Sequence, residues 1–406
     1  MDPAADLAAL APSRIVTVAR AAFARPDTEF LCFGESDRPA PPGAAEALQA
    51  ALARGDARYP DVRGVPALRQ ALADHLSALH ARPVEEGRIQ VTASGMTAVN
   101  VALAAIVRAG DRVVLHTPAW PNPGNATRLR GAAVDALPLD THRDGGFRLD
   151  LGRLAAKLPG ARALILNSPN NPTGWTATLR ELRSILELCR QHGVWLVSDE
   201  VYSRIVYDGA AAAPSALDIA EPDDRVMVVN SFSKAWAMTG WRLGWLVLPR
   251  GARDQVAEVV EVTQSGTAPF AQAGALAALA DAPFVDRFRA HCAEGRRLVV
   301  EGLAGLNGVR LAAPEGAFYA FIGVDGLHDS LALALRLVHE HGVAVAPGSA
   351  FGEGGEGYLR LCFAQAPARI ERAMQRLREG LQASMPMSST PMLSGSMLSR
   401  PMLSGQ

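Results

Sequence analysis

Lysine is nearly missing from this chain: of 40 basic side chains in 406 residues, 38 are arginine and two, Lys157 and Lys234, are lysine. Arginine stays charged at any working pH, whereas lysine can lose its proton and become a nucleophile. A retained lysine is therefore a candidate for amine chemistry, although a bias towards arginine would leave the same trace. Cysteine is almost as scarce. Cys32, Cys189, Cys292 and Cys362 lie far apart without metal-ligand spacing, which argues against a zinc site and a disulfide framework and leaves them as small core hydrophobes. Net charge is also small, at -1, with no run of like charge to suit a nucleic acid or a membrane surface. No apolar run reaches the roughly 20 residues that a membrane span needs, and Asp2, Asp6, Arg14 and Arg20 interrupt the stretch where a signal peptide would be apolar. The expectation is a cytoplasmic protein of small-molecule chemistry, with no nucleic-acid or membrane partner and no metal.

What is abundant is apolar residues, 49% of the chain, enough for more than one core. Between Gly87 and Pro249, short apolar runs alternate with helical patterns: Ile89–Thr92, Arg112–Leu115, Ala163–Leu166, Val194–Val197, Val226–Val229 and Leu243–Leu248. This alternation predicts an α/β fold, a large domain whose mostly parallel sheet is covered by helices on both faces. Ligands of such sheets bind beyond the carboxyl ends of the strands, and Ser94-Gly95, Trp120, Asn170-Asn171, Asp199-Glu200 and Ser231 follow those ends. Ala252 to Leu306 reads as helix. The remainder predicts a smaller α+β domain, with strands near Gly316–Phe321, Val343–Val345 and Tyr358–Leu361 and helices at Ser330–Glu340 and Ala368–Leu381. The expected division is an N-terminal segment, 1–40, packing on the small domain; a large domain, 41–290; a small domain, 291–382; and a low-complexity tail, 383–406. The tail carries Met-Leu-Ser at Met392, Met397 and Met402 and is expected to be disordered.

Lys234 lies in Ser231-Phe-Ser-Lys-Ala-Trp-Ala-Met-Thr-Gly-Trp-Arg-Leu-Gly244. This segment resembles the cofactor-lysine motif of the class I and II aminotransferases, fold-type I pyridoxal-phosphate enzymes. The resemblance runs from about Leu31 to Ala364, with further motifs in the family's order: Gly34-Glu35, Tyr59 with Gly64 and Leu68-Arg69, Asn171-Pro-Thr-Gly174, Ser198-Asp-Glu-Val-Tyr202 and Arg360. Each alone is weak; the spaced set is strong.

The resemblance implies pyridoxal 5'-phosphate as cofactor and a role for each position. Lys234 would hold the aldehyde as a Schiff base and, once displaced by substrate, carry the Cα proton. Lys157, within Leu154–Leu158, reads as a solvated helix position. Asp199 would keep the pyridine nitrogen protonated, unless it is only the helix cap that often follows a strand. Tyr202 and Asn171 would donate to the cofactor's phenolate oxygen. Ser94, Gly95 and Met96, at a helix start, would bind the phosphate through backbone N–H groups, with Ser231, Ser233 and Arg242 adding side-chain donors. Trp120 would stack on the ring; the family often has tyrosine three residues later, where this chain has Pro123. Tyr59 would reach the phosphate of a neighbouring subunit, implying a homodimer with shared sites. Arg360 would clamp the substrate α-carboxylate, assisted by the backbone near Gly34 and by Asn171.

The implied activity is ping-pong transamination between an L-amino acid and a 2-oxo acid. Some aspartate-selective members place a lysine after the phosphate-loop glycine; here that position is Met96, so a neutral or aromatic donor is preferred, with the residues around Ile15, Trp120 and Phe318 expected to line its pocket. Two alternatives share the framework: a lyase or aminocyclopropane-carboxylate-synthase-like enzyme, and a non-catalytic effector-binding domain.

Overall fold

The computed structural model describes residue 10 and residues 12–384; the Met-Leu-Ser-bearing tail lies outside the described residues. In chain order the strands are β1 (Glu29–Phe30), β2 (Ile89–Thr92), β3 (Arg112–Thr117), β4 (Ala133–Pro138), β5 (Asp140–Thr141), β6 (Phe147–Arg148), β7 (Ala163–Asn167), β8 (Trp195–Asp199), β9 (Val226–Ser231), β10 (Gly244–Val247), β11 (Val309–Arg310), β12 (Tyr319–Val324), β13 (Val343–Ala344), β14 (Ala346–Pro347) and β15 (Tyr358–Cys362). The large sheet has the order β2-β10-β9-β8-β7-β3-β4. Pairing is parallel from β4 to β9, and β10 is antiparallel to both β9 and β2. The central strands β7 and β9 are buried at every position, as expected of a sheet covered on both faces.

All six sequence-predicted strands of this sheet form. The seventh, β4, was not expected. It is the edge strand, mostly only part-buried, and Asp135 and Pro138 break its apolar pattern; an edge needs fewer apolar residues and tolerates proline.

Two helices matter most to the site. Helix α1 (Arg14–Phe23) is capped by Ser13, whose hydroxyl accepts from the Val16 N–H, and packs on α11 (Ser330–His341) of the smaller unit. Segment β1 pairs with β13, so the N-terminal segment joins the smaller unit through both sheet and helix contacts. In that unit a four-stranded antiparallel sheet, β11-β12-β15-β14, packs with the long helices at Ala282–Leu303 and Pro367–Ser384. The strand predicted from Gly316 starts only at Tyr319, since Ala317 takes a left-handed φ of 58° and a Cβ at Gly316 would sit 2.7 Å from Pro169. No described helix is long and apolar enough to cross a membrane.

Candidate active site

A cavity of about 500 Å³ opens at the carboxyl ends of the large-sheet strands and is closed by the smaller unit. Its floor at one end is the start of helix α4 (Gly95–Ile106), which follows β2 directly. Ser94 caps it, its hydroxyl accepting from the Thr97 N–H at 2.9 Å. The N–H groups of Gly95 and Met96, as the first in a helix, have no carbonyl within it to meet. Small residues make this close approach feasible: a Cβ on Gly95 would lie 3.1 Å from Ser231 Cβ, and one on Gly244 would lie 2.5 Å from the Gly95 nitrogen. Beside it, Ser231 Oγ is 2.8 Å from both Ser233 Oγ and Leu243 O. Arg242 lines the same end in a left-handed conformation, φ 56°, donating to Thr239 O at 2.6 Å. Such backbone conformations are costly for a non-glycine residue and gather at functional sites.

The middle of the cavity holds two ionisable groups, a buried carboxyl and a part-buried amine. Asp199, the last residue of β8, has its carboxyl pushed up to about 7 by burial and by the neighbouring Glu200 carboxylate, against the lowering influence of the Val201 N–H and of Lys234. Lys234 Nζ donates to Gly34 O at 2.7 Å and lies 5.6 Å from the centre of the Tyr202 ring. Burial brings its ammonium down to about 8, Arg360 and Arg242 act the same way, and Cys362 and Glu35 oppose it. An amine poised near neutrality can act as nucleophile and base.

Arg360, on β15, supplies the opposite end. Its guanidinium donates to Asn171 Oδ1 at 3.0 Å and to Cys32 O and lies over the Tyr319 ring, 4.6 Å from its centre. Its buried Nε has no partner among the described residues. Arg360 lines the cavity and brings a fixed positive charge there that suits an anionic ligand. Tyr202 Oη meets Tyr319 Oη at 2.7 Å, and Asn171 Nδ2 reaches Tyr202 Oη at 3.5 Å; burial raises both tyrosines. The side wall is Ser13, Ile15 and Val16 of the α1 region with Phe33 and Trp120.

Of the residues picked from the sequence, Gly34, Gly95, Met96, Trp120, Asn171, Asp199, Tyr202, Ser231, Ser233, Lys234, Arg242 and Arg360 converge on this one cavity. Ser94 borders it but does not line it, because its hydroxyl is committed to capping α4. Tyr59 is 92% exposed and outside the cavity; its expected contact is with a second copy. Phe318 is buried behind Tyr202, the two rings edge to face at 5.4 Å, while the next residue, Tyr319, lines the cavity. Lys157 pairs instead with Asp135.

Sequence reasoning gave no role to Tyr319, Phe33 or Asn167, and named Glu35 only beside Gly34; all four line the cavity. Asn167 ends β7 and ties the site together: its amide donates to Asp199 O at 3.0 Å and its Oδ1 accepts from the Asn171 N–H at 2.9 Å. Its place at a strand end, the same signal that marked Asp199 and Ser231, could have revealed it.

Comparisons with known proteins agree with this geometry. Residues 28–377 match the family model "Aminotransferase class I and II". The probable aspartate/prephenate aminotransferase of Aquifex aeolicus is 33% identical over 86% of this chain and 90% of its own length. The arginine–pyruvate transaminase of Pseudomonas aeruginosa is 32% identical over 86% and 88%. Among solved structures, the aspartate aminotransferase of Thermotoga maritima superposes with a TM-score of 0.87 at 30% identity, covering 93% of this chain and all of that one. The chain belongs to the class I and II aminotransferases.

Proposed function

We propose that this enzyme moves the amino group of an L-α-amino acid to a 2-oxo acid by a ping-pong route through Lys234, with a neutral or aromatic amino donor. The observation that carries this reading is the placement of Lys234 Nζ in the cavity that also holds Asp199 and Arg360. Class I and II aminotransferases depend on pyridoxal phosphate, and the residues here fit it: an anion cradle at Gly95, Met96, Ser231, Ser233 and Arg242, and a buried carboxyl at Asp199. The bound cofactor would supply an aldehyde for Lys234 and a protonated ring that accepts electrons from the substrate Cα.

Each side chain then has a task that its surroundings support. Arg360, held by Asn171 and Cys32, would orient the α-carboxylate with its guanidinium. Tyr202 and Asn171 would stabilise a developing oxyanion on the ring. Lys234, poised at about 8, would take the proton from Cα in its neutral form and return it on the far side of the reaction. Tyr59, exposed on one chain, would complete the phosphate site of a second copy in a homodimer.

The donor preference rests on charge. Lys234, Arg242 and Arg360 are the cations lining the cavity among the described residues, and all three have tasks already, so this chain offers no spare cation for a distal carboxylate. Met96, Ile15, Val16 and Phe33 present apolar surface instead. The test is to mix the enzyme with single amino acids and no acceptor, and to follow the conversion of bound cofactor to pyridoxamine phosphate by absorbance. Leucine, methionine or phenylalanine should react faster than aspartate; dominance of aspartate would refute the donor class, and no conversion by any amino acid would refute transamination.

A further inference from the structure

Asp199 is held by little of its own: its carboxyl accepts only from the Val201 N–H, at 3.3 Å, among the described residues. The neighbouring Glu200 is bound far more thoroughly. Its side chain is buried and accepts from Ser198 Oγ at 2.7 Å, Ser215 Oγ at 2.5 Å and the Ala216 N–H at 2.9 Å, while its own N–H joins β9 at Val229 O. The cluster continues outward. Asp218 accepts from the Ser215 N–H at 2.7 Å and meets His80 Nδ1 at 2.9 Å. None of these groups lines the cavity, and the reaction described above uses none of them.

We propose that Glu200 is the positioning residue for Asp199: its buried carboxylate anchors the end of β8 to the Ser215–Ala216 turn and sets a fixed negative charge behind the Asp199 carboxyl. The functional meaning rests on the proposed role of Asp199 towards the cofactor ring.

Burial is the larger influence and leaves Glu200 above the usual carboxylate range, while the three donors aimed at its carboxyl favour the ionised form. A buried negative charge on the adjacent residue then raises the proton affinity of whatever Asp199 shares a proton with. The groups that act on the pair are His80, beyond Asp218, which favours ionised Glu200, and Lys234, which favours ionised Asp199. For two adjacent carboxyls at an effective dielectric of about 20, the influence is on the order of one to two pH units. Glu200 thus helps keep a proton between Asp199 and a ring nitrogen into the neutral range, where the free carboxyl would have lost it.

The test is isotope-edited infrared titration of the Asp199 carboxyl in cofactor-free protein, with Asp199→Asn assigning the band. Glu200→Gln preserves shape and an acceptor for Ala216 while removing the charge; it should move the Asp199 midpoint down by about one to two pH units. Ser215→Ala leaves Glu200 in place but weakens its ionisation, and should shift the midpoint the same way by less. Should Glu200→Gln fail to fold, Ser215→Ala and Ser198→Ala carry the test. Unchanged midpoints in the folded variants would overturn the proposal, even if cofactor affinity fell, since a purely structural role predicts that pattern. Separately, wild-type protein that binds no pyridoxal phosphate would refute the proposed function and leave the infrared result to judge Glu200 by itself.

Discussion

Gly244→Ala is the most demanding test of how the cavity is built. Gly244 lies between two neighbouring strands, opposite Thr92 of β2 and Ser231 of β9. A Cβ there would come within 2.5 Å of the Gly95 nitrogen, 2.6 Å of the Ser94 carbonyl carbon and 2.9 Å of Asn230 O. All three are backbone atoms, so no flexible side chain can swing away, and ladders on both sides hold the strand in place. The remaining response is for the first turn of α4 to retreat by about 1 Å, at a cost of about 1–3 kcal/mol for an overpacked site. For a chain of this size that lowers Tm by about 1–4 °C. The larger effect should fall on the anion cradle, because the Gly95 and Met96 N–H groups leave their positions with that turn. Losing a charge-assisted hydrogen bond or two costs about 1.5–3 kcal/mol, which corresponds to a rise of roughly 10- to 100-fold in the dissociation constant of pyridoxal phosphate. Calorimetric melting and fluorescence titration with the cofactor measure both quantities. Gly240→Ala is the control, since a Cβ there meets nothing within 4 Å and should change neither. Wild-type affinity and melting in Gly244→Ala would refute the reasoning.

Lys234→Ala should abolish multiple turnover and the covalent adduct trapped by borohydride in the loaded enzyme, read by mass spectrometry; normal turnover would exclude this lysine. Lys234→Met should stabilise the cofactor-free protein. The folded lysine titrates at about 8 against about 10.4 when unfolded, so the unfolded chain binds more protons between those values. Wild-type stability from this group is therefore lowest below pH 8 and recovers as pH rises towards 10.4. The advantage of Lys234→Met, on the order of 3 kcal/mol at pH 7, should shrink over that window in denaturant melts, and a pH-independent difference would contradict the burial of the ammonium. Arg360→Lys keeps the charge but loses the planar fork; KM for amino donors should rise about 10-fold or more, by initial-rate kinetics, with cofactor affinity unchanged.

The residues that the sequence made legible are those bound to short, local patterns. Asp199, Ser231 and Asn171 stand at or just past strand ends, and Lys234 and Arg242 lie eight residues apart in one loop, so linear spacing already implied their meeting. Tyr319 was not legible, because it reaches Tyr202 across 117 residues of sequence and belongs to a strand whose register only the folded sheet sets. That the wall residue near Phe318 is Tyr319 is of that kind: neighbours on an extended segment face opposite ways, and a shift of one exchanges wall for core. Ser94 shows a different limit of linear reading. A serine before a helix can bind a ligand or cap the helix, and the Thr97 N–H claims its hydroxyl. Edge strand β4 escaped because a strand buried on one side needs little apolar signal.

Ser13, Ile15 and Val16 reach the cavity from helix α1, whereas Asp199, Lys234 and Ser231 stand on the large sheet and its loops. Part of the proposed donor wall and the groups that would do the chemistry therefore come from separate stretches of chain, nearly two hundred residues apart. On the proposed reading, substitution confined to residues 13–16 should alter donor preference while leaving the reacting groups in place, which makes this short stretch the natural target for a focused library.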